Sequence, residues 1–258
     1  MQLRFDMKTL HPTILILTAA CLGAAPVPLR QTPPTPVLSV AMPTANAAAD
    51  TDFLLRLGLM EGHLMVGNDL IAAHQAPLAL PHFGHPVSEL YDDIANYLAA
   101  RKFPAFDRQL VKLEAAVATA PYAPETLAQY QAVIATIHHA RDLTPADLRA
   151  SVPAMIKICA DTLDAAAGEY SGAVERGRIQ SLIEYHDSRG FVGWATQYLH
   201  VLTLGHPDDA AQTLLNRMTK IAAQAAWIVQ PLLPDPTPRA SVAQYRAIAA
   251  QAVELAKK

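Results

Sequence analysis

The chain has 258 residues, 52% of them hydrophobic, enough apolar surface for one substantial core or two small ones. Only 17% are charged and the formal net charge is -3, so no basic surplus exists to attract a phosphate backbone. Few aromatics (6%) argue against base-stacking platforms, and two cysteines, Cys21 and Cys159, are too few for a disulfide scaffold.

Arg4 and Lys8 precede an apolar run from Thr13 to Ala25, followed by small residues. That order reads as an export signal, and the run is too short for an ordinary membrane span. Pro26, Pro28, Pro33, Pro34, Pro36 and Pro43 then make an extended leader, and Ala45-Asn46-Ala47 has the form of a cleavage site. An earlier cut near Ala24 would leave the leader as a linker. Residues 1–47 are therefore assigned to signal and leader, and 48–258 to a single domain of a periplasmic or secreted protein. Thr18-Ala19-Ala20-Cys21 resembles a lipoprotein box, but Thr18 stands where leucine is usual, which disfavours anchoring at Cys21.

Asp50-Thr51-Asp52 offers an N-cap to a first helix over about 52–75, with Phe53, Leu57, Leu64 and Ile71 at helical spacing and His63 facing inward. Gly62 and Gly67 weaken this helix, a cost tolerable where a neighbouring element comes close. Ala76 to Pro86, with Pro77, Pro81 and Gly84, is expected to interrupt it, and Pro86 to open a second helix carrying Leu90, Ile94 and Leu98. Further helices are expected over AFDRQLVKLEAAVATA, from Pro124 to His139, and from 146 to 176 with a bend. Others run from about 176 to 203, from Asp208 to Gln230 and from Ser241 to Ala256. No alternating run bounded by turns predicts a strand. The fold class is all-α: a multi-helix bundle of about six to eight helices.

Histidines concentrate between Met60 and Tyr91, where His63, His74, His82 and His85 alternate with Glu61, Asp69 and Glu89. His82 and His85 are spaced i,i+3, and His85 and Glu89 i,i+4. The late helix places Glu175, Ile179, Leu182 and His186 on one face, continued by Gly190, Gly193, Gln197 and His200. A metal site needs three or more convergent nitrogen or oxygen donors, and facing helices of a bundle supply them. The candidate donors are His63, His82, His85, Glu89, Glu175 and His186, for a divalent or iron-type ion. Each has a structural alternative. His63 suits a buried hydrogen bond to a carboxylate, His82 and His85 suit loop capping, and His186 suits a local network with Asp187 and Arg189. His138, four residues before Asp142, suits a helix C-terminus.

No His-Glu-x-x-His, Glu-x-x-His, Gly-x-Ser-x-Gly or nucleotide-binding glycine loop occurs, and Cys159 has no local base. An enzyme is therefore disfavoured, with no catalytic residue to name. An exported, alanine-rich helical chain with Gly-His elements and a nearby acid resembles the imelysin-like proteins of bacteria. The resemblance implies a periplasmic or surface bundle linked to iron uptake, with a Gly-x-His-x-x-Glu motif. Here Gly84-His85 is followed by Pro86-Val87-Ser88-Glu89, and Val66 stands third after His63, so the spacings differ.

The sequence thus supports an exported metal-binding or metal-uptake accessory protein, partnered by a metal ion or small ligand or by a periplasmic or membrane protein. A helical module binding a non-metal ligand or a protein is the alternative, and a metal-dependent enzyme the third reading.

Overall fold

A computed structural model describes residues 47–205 and 208–257. The stretches expected to form an export signal and a leader, and Cys21, lie outside the described residues.

The chain forms an all-α multi-helix bundle. Helix α1 spans Ala47–Ala72, α2 Ala76–His85, α3 Asp92–Ala100, α4 Asp107–Thr119 and α5 Pro124–Arg141. A short α6, Ala146–Ala150, precedes α7 Val152–Ala173, α8 Leu182–Leu204, α9 Asp209–Ile228 and α10 Val242–Leu255. Helices α7, α8, α9 and α10 pack as a closed four-membered ring; α1 lies against α8 and α7, α2 against α1 and α4, and α4 against α5.

Several boundaries differ from the sequence expectation, each for a local reason. Asp50 does not cap α1 but lies buried inside it, accepting hydrogen bonds from Tyr97 Oη at 2.5 Å and Arg101 at 3.0 Å. Helix α1 stops after Ala72: His74, with a φ of 59°, is left-handed, Gln75 N–H donates to Leu70 O and His74 N–H to Ile71 O. That pair of reversed bonds stops the helix without glycine.

The proline-bearing stretch after it is helical rather than broken. Pro77 sits in the first turn of α2, where a missing N–H costs nothing, and Pro81 is accommodated inside. Pro86 then has no N–H to close on the His82 carbonyl, and Pro86–Tyr91 adopts a π-helical turn leading into α3.

Ser151 breaks the expected helix over 146–176. Its side chain accepts from Ala154 N–H and starts α7 afresh, so Pro153 lies in a first turn, where its missing N–H is tolerated. The following stretch forms a two-residue antiparallel ladder, Val174–Glu175 with Arg178–Ile179. Arg176 (φ 50°) and Gly177 (φ 71°) form the tight turn between them, both left-handed as such a hairpin requires. This small ladder is absent from the sequence expectation because two-residue strands are too short to show alternation.

The core is built from whole helix segments rather than single faces. Leu57 to Leu64 of α1 and Tyr185 to Ser188 of α8 are buried at every position. Cys159 is fully buried on α7 and burial pushes its thiol up to about 12, as suits a small core residue.

Candidate metal centre

Helices α1 and α8 cross with their backbones touching. A Cβ at Gly190 would lie 2.3 Å from Gly62 O, and one at Gly62 would lie 2.8 Å from Phe191 Cδ1. Gly58 gives similar room to the Trp194 ring. The close crossing sets His63, next to Gly62, against Asp187, one turn before Gly190. Helix α2 delivers His82 and His85 from its last turn to the same point.

His63 and His82 both donate from Nδ1 to Asp187 Oδ1, at 2.6 and 2.7 Å. His85 Nδ1 lies 3.2 Å from the other oxygen, Oδ2. One donor atom from each of His63, His82, His85 and Asp187 falls within 4.8 Å of all the others. His63, His82 and Asp187 are 2%, 0% and 2% exposed. His82 Nε2, although buried, has no hydrogen-bond partner among the described residues. The His63 ring packs edge-on against Phe191 and His85, which fixes its plane.

Burial opposes charge on Asp187, but its contacts with His63, His82 and His85 outweigh that and hold its carboxyl well below the usual carboxylate range. The Asp187 contact raises the His85 imidazole above its ordinary value; burial opposes this, and Glu89 and Glu169 add to it. The result is one buried anion ringed by three imidazoles, a donor set able to coordinate a divalent or iron-type metal ion. Imidazole nitrogens suit zinc, copper, iron and nickel, and a carboxylate admits harder ions, so the set alone does not select one metal.

The structure places the other sequence candidates as follows. Glu89, on the π-helical turn, stands at the exposed side of the cluster, 3.9 Å from His63 Nε2 and 3.9 Å from His85 Nδ1. His186 is buried but turned away, with Nε2 donating to Leu232 O at 2.8 Å, and its ring packs edge-on against His82. Burial pushes its imidazole down to about 4, so it stays neutral. Glu175 is remote from the helical face expected for it, because the hairpin interrupts the helix; it is exposed and ion-paired with Arg176. His138 pairs with Glu61 at 2.9 Å, and Asp142 with Arg149 at 3.3 Å.

Asp187 is the donor that the sequence candidates omitted, being assigned only to a local network with His186 and Arg189. Its neighbour His186 drew attention on a helical line, yet successive residues point about 100° apart. Where every position from Tyr185 to Ser188 is buried, no polar stripe marks which of the two faces the histidines. The i,i+3 pair His82/His85 and the Gly62/Gly190 pair were the available signals that α2 and α8 meet α1 here.

Glu169 of α7 and Glu184 of α8 add negative charge nearby. Burial, with Asp187, Glu89 and Glu184 in range, raises the Glu169 carboxyl to about 7, while His85 opposes the rise. Glu184 Oε2 is buried without a hydrogen-bond partner among the described residues.

A family model described as the iron permease-associated 4-helix bundle domain matches residues 144–257. That segment contains the α7–α10 ring and Asp187, whereas the three histidines precede it. The match replaces the imelysin-like resemblance, whose Gly-x-His-x-x-Glu spacing the chain lacks. No curated protein and no solved structure matches the chain.

Proposed function

We propose that this protein is an exported metal-binding accessory to metal uptake, holding a divalent or iron-type ion between α1, α2 and α8. The observation that carries the reading is the convergence of His63, His82, His85 and Asp187 in the interior, with donor atoms within 4.8 Å of one another. Three imidazoles and a carboxylate brought together from three helices make little sense as packing alone, since burying polar groups costs free energy that apolar side chains avoid. The likeness of residues 144–257 to an iron permease-associated domain supports iron as the first ion to test. Export rests on the charged and apolar N-terminal pattern of the sequence. No described helix is long and apolar enough to cross a membrane, which suits an accessory that meets a separate transport protein.

Metal content of protein purified without an affinity tag, together with melting temperature in added Fe2+, Zn2+, Mn2+ and Co2+, tests the reading. A bound ion at a hundredfold its Kd adds about 2.7 kcal/mol of stability. The stabilisation is expected to vanish in the His63→Ala/His85→Ala double variant. Metal-free protein whose melting temperature no ion shifts would overturn the reading and favour a non-metal ligand or protein as partner.

A further inference from the structure

The cluster is closed on one side and open on the other. His63, His82 and Asp187 are shut away, whereas the His85 side chain is 19% exposed and that of Glu89 52%. Glu89 bridges the open side, one carboxylate oxygen facing His63 and the other facing His85, each at 3.9 Å. That is too long for a hydrogen bond and leaves the carboxylate with no tight partner among the described residues.

On α7, Glu169 lies one turn before Gly172, which packs against Glu184, itself one turn before Asp187 on α8; this brings Glu169 into electrostatic range of Asp187, Glu89 and His85. No lysine or arginine is ion-paired with Glu89, Glu169 or Glu184 among the described residues. Carboxylates gathered at a half-buried place with no lysine or arginine paired to them repel one another; the His85 imidazole offsets part of that repulsion, and a metal ion relieves more of it. The cluster behind the acids holds a second, independent feature: the fully buried His82, whose Nε2 has no hydrogen-bond partner among the described residues.

We propose that Glu89 and Glu169 form a carboxylate mouth through which the ion passes to and from the histidine–aspartate cluster, making this a transfer site rather than a permanent structural one. The inference rests on the metal-binding reading above. Oxygen donors accept a partly hydrated ion, and the imidazoles deeper inside replace its remaining water. The π-helical turn Pro86–Tyr91 carries Glu89, and such turns recur at functional sites. A divalent ion bound to Asp187 and three neutral imidazoles keeps one positive charge, which Glu89 balances. As the ion leaves, Glu89 has only to exchange it to water.

Stopped-flow loading of Co2+, followed by its visible absorption, and release to excess EDTA test this on wild type, Glu89→Gln, Glu169→Gln and the double variant. Glu125→Gln, on α5, controls for general loss of charge. The double variant is expected to load about tenfold more slowly or worse, with a flatter dependence on ionic strength, and to release more slowly as well. Its Co2+ spectrum should still show nitrogen-rich coordination, and its metal-free melting curve should resemble wild type.

Loading and release within twofold of wild type would overturn the mouth. So would loss of the Co2+ spectrum in the double variant, because the two acids would then be obligatory ligands. If wild type and Asp187→Ala alike take up no Co2+, the metal-binding reading itself fails, a result distinct from unchanged rates in a protein that binds.

Discussion

Gly62 and Gly190 stand where α1 and α8 touch, and a Cβ on Gly190 would lie 2.3 Å from the Gly62 carbonyl oxygen. The atom it meets is backbone, so no side chain can rotate aside. Gly190→Ala must therefore push the helices apart, and the same shift separates His63 from Asp187. Overpacking of this kind costs about 1–3 kcal/mol, occasionally more. We expect Gly190→Ala to lower stability in urea titrations by about that amount and to lose most of the metal-induced rise in melting temperature. Gly168→Ala, where no atom lies within 4 Å of the added Cβ, should do neither.

Asp187 provides the negative charge around which the histidines gather. Asp187→Asn keeps shape but removes that charge, and Asp187→Ala removes the acceptor as well. In metal-free protein, Asp187→Ala leaves buried imidazole N–H groups unpaired, at a cost of about 1–3 kcal/mol for each group left unsatisfied. Asparagine should cost less, because its carbonyl still accepts. Both variants should abolish stabilisation by added ion, measured by calorimetry, since an uncharged amide is a poor partner for a divalent ion. Retained ion stabilisation in Asp187→Ala would remove the aspartate from the site.

The helices were legible in the sequence wherever one face stays polar, as in α4 with Leu110, Leu113 and Val117, or where a cap is strong, as at Ser241 with its Gln244 capping box. They were least legible where tertiary packing overrides local signals. Pro77, Pro81 and Pro86 read as a break, yet each falls where a lost N–H can be tolerated or absorbed by a π turn. His63, His82 and His85 stood out because they crowd one stretch. Asp187 did not, because Tyr185 to Ser188 are all buried and periodicity carries no information there. Glu175 was placed by a helical line that the Arg176-Gly177 turn cuts.

His186 gives the protein a defined acid sensitivity. Its folded value lies near 4 against an ordinary 6.5, chiefly because burial penalises the charged ring. Above pH 6.5 the ring is neutral folded or unfolded, and full stability is present. As pH falls from 6.5 toward 4, the unfolded chain takes up a proton that the fold refuses, so stability declines; below 4 this contribution is exhausted. The shift corresponds to about 3 kcal/mol across the window. His186→Gln retains a donor for Leu232 O but cannot titrate. Urea midpoints for the two proteins should therefore diverge at neutral pH and converge toward pH 4, and parallel curves would discount the histidine as the source.

Glu61 anchors a second buried network on the opposite side of α1 from His63, because two residues turn the helix by about 200°. It accepts from Trp194 Nε1 at 2.9 Å, from His138 Nε2 at 2.9 Å and from Arg141, whose guanidinium also lies 5.8 Å from the Trp194 and Tyr198 ring centres. Burial lowers the Arg141 pKa from its ordinary value, so the guanidinium depends on this partner. Removing the charge in Glu61→Gln leaves Arg141 buried and uncompensated, which costs about 3 kcal/mol or more. Adding Arg141→Met should restore part of the loss, since an apolar pair avoids the desolvation that the ion pair must overcome. Trp194 emission should shift in Glu61→Gln as its N–H loses a charged acceptor. The ion-induced rise in melting temperature should survive in both variants, because the network stabilises the α1–α8 crossing without supplying a donor to the cluster. If Glu61→Gln abolishes that rise at unchanged secondary structure, the two networks act as one.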